Sequence, residues 1–585
     1  MEPTPDQESD FGSEISDWEI EEGVPQFEDQ FIQKYLQGRE ALIEQEKSQR
    51  SDNAFRQSLT PMATEACTIV SRILAEERAT VWTNELQDDL ERSDNVNIYP
   101  GMMFSLAKDK MEKTRSWQVV KKMPKGALLH AHMDATIDVN WLIDHALATP
   151  GMAMSATKPI WDPKAGEDVE VLFRFKKTLT ASTASIWSKE YAASQFVALK
   201  HAAESFPLGG TQGFKVWLRD QCTITQEEAI LHHHGIDAIW RKFSGCFRQL
   251  NSLEYYEPIF RPAIRRLLHD LVVDGIKWVD FRSMFFVDFF LEGQEEPIPD
   301  STDFLRIWTE ELAAFKATEE GKGFWGCRFI WTSLRFWKKK EIVEHMKQCI
   351  EMKLAFPDLI CGYDVVGQED MGRPLSDLTP ELFWFKKKCV ESGVDIPFFF
   401  HAGECLGDGD ETDQNLFDAI LLGTRRIGHG FSLYKHPLLT EMVKTKKILI
   451  ESCPISNEVL RLTTSVKAHP LPALLARGVP CCLSNDDPGV LGYGSSGVTH
   501  DFWQALQGWE NLGLEGLGSL AENSVRWAAY APDQDAKAWG KDVRDGVNGQ
   551  GARAERMREW TKEWNGFCEW VVREFAVEYG GDYEG

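Results

Sequence analysis

Four short clusters in this 585-residue sequence combine residue types that hold metal ions or move protons. The first is His130-Ala131-His132, directly after Leu128-Leu129. Residues i and i+2 of a strand point to one side, so both imidazoles would share a face and make half of a metal site. Standing alone, an HxH pair is a weak signal and reads more readily as two ordinary histidines. The second is His401-Ala402-Gly403-Glu404, after Ile396–Phe400. Its small residues let backbone pass close to a ligand, with a His and a carboxylate three apart; by itself it is also a polar strand end. The third is Arg426-Ile427-Gly428-His429-Gly430, where flanking glycines open the imidazole to approach from both sides, or form a turn. The fourth is Ser484-Asn485-Asp486-Asp487-Pro488. Adjacent carboxylates are costly unless they share a cation or a hydrogen-bonding ligand, although an Asx turn before proline gives the same letters.

All four clusters sit at the ends of short apolar runs, and those runs define the elements that must position them. The runs are Ala127–Leu129, Ile276–Phe281, Arg328–Trp331, Leu359–Val366, Ile396–Phe400, Arg426–Gly428, Ile448–Ile450 and Val479–Leu483. Helix-like stretches separate them, which implies βαβ units and a parallel sheet. Eight such units suggest an α/β fold, a (β/α)₈ TIM barrel, with function on the loops after the strand C-termini. The clusters follow the first, fifth, sixth and eighth runs, and in a closed barrel those ends converge on one mouth. Three His, one Asp and an open position suit one Zn²⁺ per subunit carrying a water. Such an ion lowers the pKa of that water to about 7 and supplies hydroxide at neutral pH. Glu404 and His429 would remain as general acid and general base.

The rest of the chain divides around this barrel. Residues 1–30 are acidic and read as a disordered tail. Residues 31–120 read as a helical extension, with Phe31, Tyr35, Leu36, Leu42 and Ile43 recurring at helical spacing. The barrel occupies residues 121–540. The gap from Leu129 to Ile276 is too long for one helix, so residues 141–255 are expected to hold an insertion and the first barrel helix. Residues 541–585 read as a Trp-rich helical tail.

Composition bounds the partners. Lys+Arg total 64 against Asp+Glu 91, a net charge of −27. That balance argues against a nucleic-acid backbone or an anionic membrane as main partner. No run of about 18 apolar residues occurs, so no transmembrane helix is expected. The first basic residue is Lys34, no apolar secretory run precedes it, and no Asn-x-Ser/Thr site occurs. The 12 cysteines include no CxxC pair. These features predict a cytoplasmic setting with free thiols.

The sequence resembles the adenosine deaminases, zinc amidohydrolases on a (β/α)₈ barrel. The resemblance rests on Met123-Pro124-Lys125-Gly126-Ala127-Leu128-Leu129-His130-Ala131-His132, His401–Glu404, Arg426–Gly430 and Asn485–Pro488, and covers roughly residues 121–535. The long insertion, Val366-Gly367-Gln368-Glu369-Asp370, Trp240-Arg241-Lys242-Phe243 and, thinly, Arg39-Glu40-Ala41-Leu42 resemble the adenosine deaminase-related growth factor subfamily. The resemblance implies that His130, His132, His401 and Asp486 bind zinc. It implies that Glu404 protonates purine N1 and that His429 orients and deprotonates the attacking water. Asp487 would bond N7 and the Gly367 backbone N3, while Asp134 and Trp240 would lie on the ribose side. Adenosine, and 2′-deoxyadenosine, would become inosine products plus ammonia. Members of the subfamily dimerise through the helical N-terminal region, which implies a homodimer here. Secreted members carry a signal peptide, glycosylation sites and a disulfide in the insertion; this sequence shows neither signal nor glycosylation site, and no Cys lies between Cys67 and Cys222. Secretion, and a growth-factor-like binding role, remain the alternative.

Several other features read as bystanders. His232-His233-His234 lies in a helix-like stretch and is expected on the surface or in packing. Lys338-Lys339-Lys340 reads as a solvated helix start, and Asp280-Phe281-Arg282 as a barrel ion pair. Three rival functions remain: an AMP deaminase on the same scaffold, a two-metal hydrolase, and a catalytically dead binding module. The two-metal reading needs a Lys in Gly362–Val366, which holds none; the dead module needs a lost ligand, and the set is complete. The other zinc-deaminase architecture, H-x-E with P-C-x-x-C, is absent from the sequence.

Overall fold

A computed structural model describes residue 18 and residues 21–83, 98–160, 169–179, 185–530 and 535–580. The tail expected over residues 1–30 lies largely outside the described residues. The strands are β1 (Gly126–His132), β2 (Met152–Ala156), β3 (Val171–Phe175), β4 (Val197–Ala198), β5 (Ile276–Ser283), β6 (Gly326–Leu334), β7 (Ile360–Val366), β8 (His401–Ala402), β9 (Arg426–His429), β10 (Leu449–Ser452) and β11 (Cys481–Leu483). Eight of them run parallel in two arcs, β1-β5-β6-β7 and β8-β9-β10-β11.

Two seams close the arcs into a barrel. At one, Ala131 faces Asp486; the His132 N–H donates to the Asp486 carbonyl at 2.9 Å and the Asp486 N–H to the His130 carbonyl at 3.1 Å. At the other, Tyr363 faces Phe398; the Tyr363 N–H donates to Pro397 at 2.9 Å and the Phe399 N–H to Tyr363 at 3.1 Å. The strands are buried on both faces, which explains why they read as short apolar runs rather than alternating ones. The fifth differs from its sequence pattern: the regular strand is only His401–Ala402, not Ile396–Phe400. Pro397 has no N–H for a ladder, and the segment bonds irregularly instead, Phe400 N–H donating to Thr424 Oγ1 at 3.1 Å.

The barrel helix before β5 is Glu257–Val273, beyond the 141–255 span expected to contain it. The helix Ile236–Glu254 belongs to the insertion and packs on its antiparallel sheet, β3-β2-β4. One helical pattern runs through both, and only the kink at Tyr255 and Pro258 divides them.

At the other end, Pro61–Thr80 buries Ala63, Ala66, Ile69, Val70 and Ile73, and packs on the C-terminal helix Ala552–Tyr579. Its N-cap, Thr60, accepts the Ala63 N–H, with Pro61 at the first helical position. Trp560 and Trp564 stack at 5.8 Å, and Trp560 Nε1 donates to Pro124 just before β1. The tryptophans of the tail therefore brace the barrel. Among the described residues, no helix is long and apolar enough to cross a membrane.

One buried carboxyl gives this fold a pH signature. Glu458, in the helix Pro454–Val459, accepts the Phe104 N–H through Oε2 at 2.6 Å. Burial lifts its pKa from 4.5 to about 8. Between those values the native state holds a proton that the unfolded chain releases, so this group's contribution to stability falls as pH rises through the window. Glu458→Gln should remove that slope. Its melting temperature relative to the native protein is expected to rise between about pH 5 and about pH 8.5. An unchanged difference at the two pH values would contradict the assignment.

Candidate metal centre and active site

Strand β1 delivers His130 and His132 to the barrel mouth on one face. His130 Nε2 lies 3.1 Å and His132 Nε2 3.3 Å from Asp486 Oδ1. The His401 ring centre is 4.5 Å from that of His130 and 5.3 Å from that of His132. One potential ligand atom from each of His130, His132, His401 and Asp486 falls within 4.8 Å of the others, and all four residues are buried. A second group, His130, His429, Cys453 and Asp486, overlaps the first. The first is better prepared as a metal centre, because its imidazoles are held from behind by carboxylates. His130 Nδ1 bonds Glu451 Oε2 at 2.9 Å, and His401 Nδ1 bonds Asp364 Oδ2 at 2.6 Å. Each ring is thereby left to present Nε2. Cys453, by contrast, is a buried thiol pushed well above its usual range by burial and by Asp486.

Arg282 ties the two supporting carboxylates together, donating to Asp364 and to Glu451, each at 2.8 Å. All three side chains are fully buried. Burial works against charge on Asp364, but His401 and Arg282 outweigh it and hold the carboxyl well below the usual range. Glu451 also accepts from Arg426, which in turn donates to Asp280 at 2.9 Å. Asp280-Phe281-Arg282 thus supplies barrel ion pairs, as expected: the two charged side chains pair across the barrel, Asp280 with Arg426 and Arg282 with Asp364 and Glu451. His130 Nε2 and Asp486 Oδ1, although buried, have no hydrogen-bond partner among the described residues. Unpaired donor atoms converging from a supported set are what a divalent cation fits.

Glu404 and His429 stand beside this set. His429 Nε2 is 3.6 Å from Glu404 Oε1 and 3.7 Å from Asp486 Oδ2. Glu369 accepts the Gly403 and Glu404 N–H groups at 3.3 and 2.9 Å and the Asn415 side chain at 2.7 Å, which fixes the loop carrying Glu404. Burial, with Asp486 and Glu369 close by, pushes the Glu404 carboxyl well above the usual range. Burial pushes His429 well below its own. His429 and Asp486 both adopt left-handed backbone, φ 59° and 60°, a strain that non-glycine residues accept mainly at functional sites. Gly428 has a packing reason: a Cβ there would lie 2.7 Å from the His130 ring. Asp486 Oδ2 receives the Ser456 hydroxyl at 2.7 Å.

Asp487 is buried beside Asp486, its Oδ1 has no hydrogen-bond partner among the described residues, and burial and Asp486 raise its carboxyl well above the usual range. Gly367 directly follows β7 at φ 104°, and a Cβ there would meet nothing within 4 Å. Its surroundings leave room for a ligand. Asp134 is buried, and its carboxylate already holds the Tyr255 hydroxyl and the Met284 N–H. Trp240 is buried in the insertion helix Ile236–Glu254, edge-on to Phe243. His232–His234 form a single 3-10 turn and join no metal-capable group among the described residues, and Lys339 is engaged by Asp377 and Glu381.

Reading the sequence by clusters gives no supporting role to Asp364, Glu369, Glu451, Ser456, Asn457 and His469, and reads Arg282 only as part of a barrel ion pair. Asp364, Arg282 and Glu451 sit in or at the ends of apolar runs, where a charge is unexpected, and that was the available signal. Their partners lie up to 321 positions away.

The family model described as "Adenosine deaminase" matches residues 309–545. Adenosine deaminase 2 of Sus scrofa is 30% identical over 502 residues, covering 85% of this chain and 90% of that protein. Adenosine deaminase 2-A of Danio rerio is 31% identical over 446 residues, covering 75% of this chain and 82% of that one. A solved adenine deaminase from Arthrobacter aurescens is similar over 75% of this chain and 99% of its own, at 18% identity and a TM-score of 0.46.

Proposed function

We propose that this chain, which belongs to the adenosine deaminase family, hydrolyses the 6-amino group of adenosine and 2′-deoxyadenosine, releasing ammonia and the inosine nucleosides. The observation that carries this reading is the meeting of His130, His132, His401 and Asp486 with Glu404 and His429 in one buried site. Three imidazoles and a carboxylate are a donor set suited to Zn²⁺, with His130, His132 and His401 binding through Nε2 and Asp486 through Oδ1. A divalent ion held there supplies a nucleophilic water at neutral pH, because it lowers the pKa of a bound water to about 7.

The chain's own groups then divide the work. Glu404, kept protonated by burial and by neighbouring carboxylates, offers its hydrogen to purine N1 as the ring accepts electrons. Asp487, protonated for the same reasons, donates to N7, and the Gly367 backbone N–H reaches N3. His429 faces the incoming oxygen through Nε2. Asp134 and Trp240 line the ribose side. The charges beside Gly367 favour a nucleoside over AMP. Asp370 has its pKa raised to about 6 by burial and by Glu369, Asp410 and Asp237, a crowd of carboxylates that would repel a phosphate.

Two further readings concern the whole molecule. The helix Gln30–Ser48 buries none of its residues and exposes Phe31, Tyr35 and Leu42, which supports a homodimer through this region. All twelve cysteines are free, which supports a reducing, cytoplasmic setting over secretion.

The test is deamination by the purified, zinc-loaded chain, followed by the ultraviolet change from adenine to hypoxanthine. Adenosine, deoxyadenosine and AMP are compared with and without a chelator. Chelator-sensitive turnover of the nucleosides is expected. Preference for AMP would overturn the substrate assignment, and no turnover with metal bound would overturn the enzyme.

A further inference from the structure

Behind His429 runs a chain of three hydrogen bonds that ends on the backbone. Asn457 Nδ2 lies 3.1 Å from His429 Nδ1, His469 Nε2 lies 3.0 Å from Asn457 Oδ1, and the Leu471 N–H meets His469 Nδ1 at 3.1 Å. All three side chains are buried, and the His469 ring is wedged between Phe431 and Trp509 at 5.3 and 5.8 Å.

The direction of each bond follows from the last one. A backbone N–H can only donate, so His469 Nδ1 must accept. Burial keeps His469 neutral, with its pKa pushed down to about 3, so its hydrogen sits on Nε2. That N–H needs an acceptor, which fixes the Asn457 carbonyl oxygen toward His469. The Asn457 amide N–H₂ is then turned to His429, and His429 Nδ1 must accept in its turn. A neutral imidazole with an acceptor at Nδ1 carries its hydrogen on Nε2. Nε2 is the atom that faces Glu404 and Asp486, and it has no partner among the described residues.

We propose that Asn457 and His469 are positioning residues that transmit the polarity of the Leu471 N–H to His429, so that the neutral ring meets the reacting oxygen as a hydrogen-bond donor at Nε2. The inference rests on the deaminase reading above. Nε2 already carries a hydrogen and cannot take another in the neutral ring. A second proton at Nδ1 would point at the Asn457 N–H₂. The neutral ring therefore orients the oxygen through its Nε2–H.

The isosteric change Asn457→Asp reverses the signal. A carboxylate accepts from both sides, so His469 keeps its bond while His429 must place its hydrogen on Nδ1 and present a bare Nε2. Reversing an imidazole tautomer in serine proteases costs about 10⁴ in kcat, so Asn457→Asp is expected to lose roughly 100-fold or more. KM should change by less than about threefold, with bound metal and melting temperature close to native. His469→Gln retains a donor near the Nε2 position and should keep most of the native kcat, whereas His469→Ala should not. Independently of turnover, nitrogen NMR of histidine-labelled, metal-free protein should place the His429 hydrogen on Nε2 in the native chain and on Nδ1 in Asn457→Asp. A native hydrogen on Nδ1, or an Asn457→Asp protein with native or higher kcat, would overturn the proposal. Absence of nucleoside turnover in the native protein would sink the deaminase reading instead, leaving the tautomer to be decided by the spectra.

Discussion

Glu404→Gln is expected to lower kcat on adenosine by about 10³-fold, within the range typical of a lost general acid or base. The substitution keeps the size of the side chain and its place on the loop that Glu369 holds. It removes only the acidic proton that the proposed mechanism delivers to N1. Glu404 is not among the four residues of the metal group, so metal content should stay at the native level. KM should move little, because the lost interaction strengthens in the transition state. Steady-state kinetics with elemental analysis of the same preparation checks this. A variant with native kcat would show that the proton comes from elsewhere.

Arg282→Met should damage stability and metal binding together. The guanidinium is fully buried, touching Asp364, Glu451 and the carbonyls of Leu129 and Phe399. Removing it leaves two buried carboxylates short of a counter-charge, a class of change that typically costs about 3–5 kcal/mol. Those same carboxylates hold His130 and His401 in the orientation that presents Nε2. Loss of such supports typically weakens metal affinity by about 10–100-fold. Denaturant unfolding and a competitive metal titration measure the two effects separately. If stability fell while affinity held, the arginine would be a barrel strut only.

The eight barrel strands and the four chemical clusters were legible because each is local. A buried parallel strand is a short apolar run, and a ligand at its end is a His or Asp where the run stops. Strand β8 was legible in position but not in extent, since Pro397 breaks a ladder that its apolar neighbours would suggest. The supports were not legible. Glu451 looks like a charge misplaced in a strand until His130, Arg282 and Arg426 surround it. Asn457 and His469 read as ordinary polar residues in a helix start and a loop, and their meaning depends on which atom faces which. The triple histidine, the most conspicuous metal-like letters in the sequence, forms one surface turn, and although the His233 and His234 rings touch, the turn brings no supporting carboxylate behind them among the described residues.

The seam between β1 and β11 carries a consequence in time. Three of the four residues in the metal group, His130, His132 and Asp486, flank the bridge that closes the barrel there. They come from opposite ends of the barrel sequence, 356 positions apart between His130 and Asp486. At a synthesis rate of about 5–20 residues per second, the histidines of β1 wait roughly 20–70 s on the ribosome before Asp486 is made. Throughout that interval the four-residue group is incomplete. The chain acquires the full coordination set only when its last barrel strand docks against its first.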